Sequence, residues 1–187
     1  LLGRGAMETL FVLRSDHLLL VWTWLTSIFA HGGLYHIAGN SIVLYFFGPL
    51  VERYVGSRRF AALFLASGAL AGLGFAVTSL VLGAGSVSVV GASGAIFAVL
   101  GVLTVLNPGL RIYLYFIIPI PLWLFTGAFA VISVLFFLQP QSAASVGQGN
   151  VAHLAHLIGL VIGLAYGKRV KTPRRVPDQL TFGGGRG

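Results

Sequence analysis

Five long apolar runs, 34–50, 60–82, 87–106, 112–138 and 151–166, occupy most of the chain after residue 33. A helix needs about 20 mostly apolar residues to cross the hydrocarbon core of a bilayer, and each run reaches or approaches that length. Of the 187 residues, 57% are hydrophobic and only 9% charged, with a mean hydropathy of +0.93. A soluble domain carries about 25% charged residues, so this composition cannot cover a water-soluble globule or keep a chain disordered. The absence of cysteine excludes a disulfide scaffold, a thiolate metal site and a cysteine nucleophile. The expected fold is an all-α polytopic membrane protein with five spans in one domain.

The fourth run contains Pro119 and Pro121, and its membrane helix is expected to begin near Pro121, since proline suits a first turn. Segment 18–30 is too short to cross, and its Trp22 and Trp24 suit an interfacial stretch. Arg53, Arg58 and Arg59 lie between the first two runs, Arg111 between the third and fourth, and a basic tail follows the fifth, whereas connections 83–86 and 139–150 carry no charge. The positive-inside bias puts the charged connections in the cytoplasm and the neutral ones outside. Much of the net charge of +8 sits in that tail, beside an apolar run, so it is assigned to anionic lipid headgroups rather than to nucleic acid. The expected plan is a membrane domain over 1–170, with an outer loop at 1–33 and spans within 34–167, followed by a basic, Gly-rich, disordered cytoplasmic tail at 171–187.

Polar groups inside spans are costly and are functional candidates by default. With this orientation His31, His36, Asn40, Ser93, His153 and His156 all fall in the outer half of the membrane. Ser93 sits in Gly91-Ala92-Ser93-Gly94, where a small-residue loop turns into a helix. Such a turn lets backbone N–H groups face an oxyanion, although a serine in a span also commonly bonds its own backbone. His156, Gly159, Gly163 and Gly167 share one helical face, and Gly94, Ala98 and Gly101 form a second small-residue stripe. Small stripes let membrane helices approach closely, and packing these two together would bring Ser93 and His156 within reach.

The acids are Glu8, Asp16, Glu52 and Asp178. Glu52 and Asp178 lie toward the cytoplasm, and Asp16, in the outer loop, is a distant alternative for a third catalytic member. A Ser–His dyad is therefore expected, with histidine as base and then acid. His36 and Asn40, four apart on one face, offer N–H donors for an oxyanion or, equally, for a neighbouring helix. His31 is expected to tie down the loop before the first span, and His153 to serve packing or loop anchoring. No HExxH occurs and no acid lies inside a span, so neither a zinc protease nor a membrane aspartyl pair is supported. No cofactor or metal is expected. A channel or carrier would need polar residues across the whole membrane, and here they stop in the outer half.

These residues resemble the rhomboid family of intramembrane serine proteases. The matching pieces, in family order, are Trp24-Leu25-Thr26-Ser27-Ile28-Phe29-Ala30-His31-Gly32-Gly33, His31-x4-His36-x3-Asn40, Gly48, Val51-Glu52-Arg53-x2-Gly56-Ser57, Gly91-Ala92-Ser93-Gly94-Ala95 and Ala155-His156-x2-Gly159-x3-Gly163. The resemblance implies Ser93 as nucleophile, His156 as its base, His36 and Asn40 at the oxyanion, and a structural Glu52 near the cytoplasmic face. It implies a six-helix core of which the five runs are helices two to six, the first being missing or upstream. The implied substrates are transmembrane segments of other proteins, cut near their outer ends, with small residues before the scissile bond. The setting expected is a prokaryotic plasma membrane. The alternative within the family is an inactive relative that binds or escorts membrane clients. Three positions depart from the pattern. Trp22-Thr23 replaces a Trp-Arg loop anchor, Phe97 replaces a tyrosine one turn after the nucleophile and could stack on His156, and Gly39 replaces a bulky aromatic and could loosen lateral access.

Overall fold

A computed structural model describes residues 4–83, 85–114, 117–138 and 150–170. Its elements, in chain order, are α1 (Arg4–Phe11), β1 (Leu13–Arg14), α2 (Thr23–Thr26), α3 (Leu34–Val55), α4 (Ser57–Val81), β2 (Ser88–Val89), α5 (Ser93–Leu106), β3 (Arg111–Leu114), β4 (Ile118–Pro121), α6 (Leu122–Leu138) and α7 (Asn150–Arg169). The chain is mostly helical, but the all-α expectation needs amending. β1 pairs antiparallel with β2, and β3 with β4. The tail at 171–187, including Asp178, and the connection 139–149 lie outside the described residues.

Two helix starts bear on the expected spans. The third run is helical only from Ser93, because 87–92 is spent on β2 and the turn through Gly91. The fourth is helical from Leu122, directly after Pro121, and the stretch before it forms the β3–β4 hairpin. Among the described residues, only α3 and α4 are by themselves long and apolar enough to cross a bilayer, while α5 and α6 are shorter apolar helices. Five spans are therefore not established by length. α3 continues through Pro49 to Val55, and Gly56, at φ +85°, reverses the chain into α4. Ser57 Oγ donates to Glu52 Oε1 at 2.5 Å across that reversal.

α5 is the buried centre, packed against α4 and α7, which also touch each other. Its closest neighbour is α7. A Cβ at Gly159 would fall on the carbonyl oxygen of Gly94, and one at Gly163 on that of Ala98. A Cβ at Gly101 would lie 2.6 Å from Leu160 O, and one at Gly94 would meet Ala71 Cβ of α4 at 2.7 Å. The two backbones are thus in direct contact over several turns, which only glycine and alanine permit. Thr104 Oγ1 and Thr126 Oγ1, 3.1 Å apart, join α5 to α6. Toward the N-terminus, Trp22 Nε1 donates to Thr9 O at 3.1 Å and Thr26 Oγ1 to Leu10 O at 2.6 Å, docking α1 on α2.

Because a methyl at residue 163 has a backbone carbonyl in its place, Gly163→Ala is expected to lower stability by about 1–3 kcal/mol, the usual range for overpacking. Unfolding in mixed micelles measures this. Gly39→Ala, where a Cβ meets nothing within 4 Å, is the control and should be near neutral.

Candidate active site

Ser93 is the first residue of α5. The loop before it turns through Gly91, whose φ of +112° is strained for any side-chain-bearing residue. A Cβ there would lie 2.6 Å from His36 Cε1, so the loop backbone rests on that ring. The Gly91 N–H donates to Ser27 O at 2.8 Å. Ile96 N–H is returned to Ala92 O at 2.9 Å, whereas the N–H groups of Ser93, Gly94 and Ala95 come too early in the helix to find an acceptor a turn back. Together with the helix dipole they favour negative charge beside Ser93.

The contact of Gly159 with Gly94 sets the level of His156, one turn earlier on α7. Ser93, His156, His36, Asn40, Phe97 and Phe125 all line one cavity of about 580 Å³. Among the described residues no hydrogen bond joins the Ser93 hydroxyl to the His156 ring. That ring is stacked on Phe97, with centroids 4.6 Å apart and planes at 19°, and flanked by Phe129 at 5.8 Å. The stacked Phe97 and the tilted Phe129 therefore hold the imidazole where a carboxylate would do so in a triad. None of the acids among the described residues lines the cavity. Asp16 is gripped by Arg14, at 3.0 and 2.8 Å, and the guanidinium holds its carboxyl well below the usual carboxylate range. The ion pair thus persists as pH falls through the ordinary carboxylate range and is lost only in stronger acid. Exposed as it is, it adds little to stability.

Asn40 Nδ2 is buried without a hydrogen-bond partner, which is costly for an amide donor unless something else accepts from it. His36 Nδ1 accepts from Gly32 N–H at a long 3.5 Å, leaving Nε2 to carry the proton of the neutral ring. His31 meets His36 edge-on at 5.0 Å, its Nδ1 is 3.2 Å from Phe29 O, and its Nε2 is buried without a partner. His153 lies outside the cavity lining. It stacks on Phe136 at 4.7 Å, and its Nδ1 is 3.4 Å from Ser133 Oγ, tying α7 to α6. The Trp22-Thr23 departure is accommodated locally, with Thr23 fully buried and its hydroxyl donating to Leu20 O at 2.6 Å.

Sequence reasoning missed three contributors. Phe129 is hidden in a uniformly apolar run. The Ser27 carbonyl, as main chain, leaves no trace in composition. The pairing of Leu13 with Val89 and Arg14 with Ser88 involves strands too short for a period-two pattern.

Comparison with known proteins shows the family. Residues 19–172 match the Rhomboid domain family. The chain is similar to the human mitochondrial presenilin-associated rhomboid-like protein, at 30% identity over 142 residues, covering 76% of this chain and 36% of that protein. It is also similar to the mitochondrial RHOMBOID-like protein 12 of Arabidopsis thaliana, at 32% identity over 166 residues, covering 81% and 47%. A shorter match, 37% over 81 residues, covers 43% of the chain and 39% of the rhomboid protein YdcA of Bacillus subtilis. The chain spans less than half the length of each of these relatives. With the family match covering most of its residues, and its helices packed around the motifs that carry the resemblance, this membrane protein belongs to the rhomboid family.

Proposed function

We propose that the chain is an intramembrane serine endopeptidase that cleaves transmembrane segments of other proteins, with Ser93 as nucleophile and His156 as its base. The observation that carries this reading is the backbone contact of Gly159 on Gly94, which sets the two side chains on the rim of one cavity. Ser93 Oγ attacks the scissile carbonyl while His156 takes its proton. The oxyanion is held by the Ser93 N–H, by Asn40 Nδ2, which is otherwise unsatisfied, and by His36 Nε2. His156 then protonates the leaving amine, and water, deprotonated by His156, releases the acyl group. The Ser93–His156 bond forms as substrate settles, since such contacts tighten in the Michaelis complex.

In this reading α3 to α7 are the five spans, with Arg53, Arg58, Arg59 and Arg111 toward the cytoplasm of a prokaryotic plasma membrane. The 14 residues of α5 reach about 21 Å at 1.5 Å per residue. With its Asn107 end at the inner boundary, Ser93 then lies about 9 Å below the outer edge of a 30 Å core. A substrate helix entering between α3 and α6, where Gly39 leaves open space, must unwind there to offer its carbonyl, so helix-weakening residues near the cut are favoured.

The test is cleavage of a labelled single-span protein by the purified chain in micelles. Ser93→Ala, His156→Ala and the double variant are expected to lose activity to a common baseline, because groups acting as one unit are not additive. Asn40→Ala should lower kcat by about 10²–10³-fold, the usual effect of one oxyanion donor. Cleavage that survives Ser93→Ala or His156→Ala would remove that residue from its role. Stable client binding by a parent chain that cleaves nothing would favour the escort reading.

A further inference from the structure

The loop that delivers Ser93 is gripped from outside the cavity. Ser15 N–H donates to Val87 O at 3.0 Å, Val87 N–H donates to Ser15 Oγ at 3.0 Å, and that hydroxyl donates onward to Gly85 O at 3.4 Å. The adjoining residues continue the grip as β1 on β2, with Leu13 opposite Val89 and Arg14 opposite Ser88. Arg14 Nη2 also donates to Ser86 Oγ at 3.2 Å while Asp16 holds its guanidinium. Leu13 is fully buried, and a Cβ on Gly72 of α4 would come within 3.1 Å of its Cδ2.

Ser15 is only 2% exposed. A hydroxyl buried this deeply is tolerated because the loop satisfies it as both donor and acceptor. The loop turns through Gly83 and Gly85, both at positive φ, and glycine is the residue least restricted in its own backbone conformation. From Val87 the chain runs through β2 to Gly91, against the His36 ring, and on to Ser93. We propose that Ser15 is a positioning residue for the nucleophile: its bonds to Gly85 and Val87 fix β2, and through it Gly91 and Ser93, in register with His156 and the oxyanion donors. This rests on Ser93 being the nucleophile.

The experiment compares the full chain with Ser15→Ala and Ser15→Cys in micelles. Three readouts are taken per folded molecule: kcat, KM, and the rate at which a fluorophosphonate phosphonylates Ser93. Misplacing a reacting group by about 1 Å costs on the order of 10²-fold in rate. Ser15→Ala is therefore expected to lose about 10–100-fold in kcat and in labelling rate, with KM within about twofold. Ser15→Cys keeps a weaker donor and acceptor in the same place, so it should fall between, and it carries the test if the alanine variant does not fold. Either variant, folded and reacting at the parental rate, overturns the proposal, as does a loss confined to thermal stability. A parent chain that neither cleaves nor labels at Ser93 overturns the nucleophile assignment itself, and this inference with it.

Discussion

In hydrocarbon, apolar side chains gain little by leaving lipid for protein, so membrane helices associate where their backbones can touch over several turns. α5 and α7 do this through Gly94, Ala98 and Gly101 on one side and Gly159 and Gly163 on the other. The contact has no slack, because the place of the missing Cβ atoms is taken by carbonyl oxygens. It fixes the relative height and rotation of the two helices, and so where Ser93 and His156 stand. The remaining helices are arranged around this pair. α4 packs on α5 through Ala71 and Gly94 and on α7 through Gly74 and Ile158, α6 is joined by Thr104 and Thr126, and α3 brings His36 and Asn40 to the cavity rim.

A polar site in an apolar protein needs its donors and acceptors either matched or held for a ligand. Both kinds occur here. Ser67, Ser79, Thr126 and Ser133 are buried and bonded, mostly to carbonyls of their own helices. Asn40 Nδ2, at the cavity that also holds Ser93, and His31 Nε2, beside the His36 ring, are buried and unbonded. His156 is oriented by aromatic stacking rather than by a carboxylate, consistent with spans that contain almost no acids.

The apolar runs foretell the helical regions because crossing a bilayer leaves few alternatives for the backbone. The small-residue stripes foretell which two faces meet, since spacing along a helix is set by its geometry. The helix starts inside the third and fourth runs are marked by Gly91-Ala92-Ser93-Gly94 and by Pro121, and what the runs conceal is the strand pairing before them. Val87 and Val89 are as apolar as the residues of α5, yet β2 pairs with β1 from the N-terminal segment, and in the fourth run β3 and β4 pair with each other. The grip of Ser15 on Val87 is illegible for the same reason. It joins residues 72 apart, and neither carries a pattern that local periodicity can register. Gly91 is half legible, its glycine pointing to a turn but not to the His36 ring that fills the space beside it.

In the proposed mechanism α5 and α7 make one reactive unit of Ser93 and His156. The most direct measurement is peptide mapping of the chain after exposure to a fluorophosphonate, in the parent and in His156→Ala. A single adduct is expected on the peptide containing Ser93 in the parent and none in the histidine variant, with both proteins folded. An adduct on a different serine, or one on Ser93 that forms equally well without His156, would contradict it.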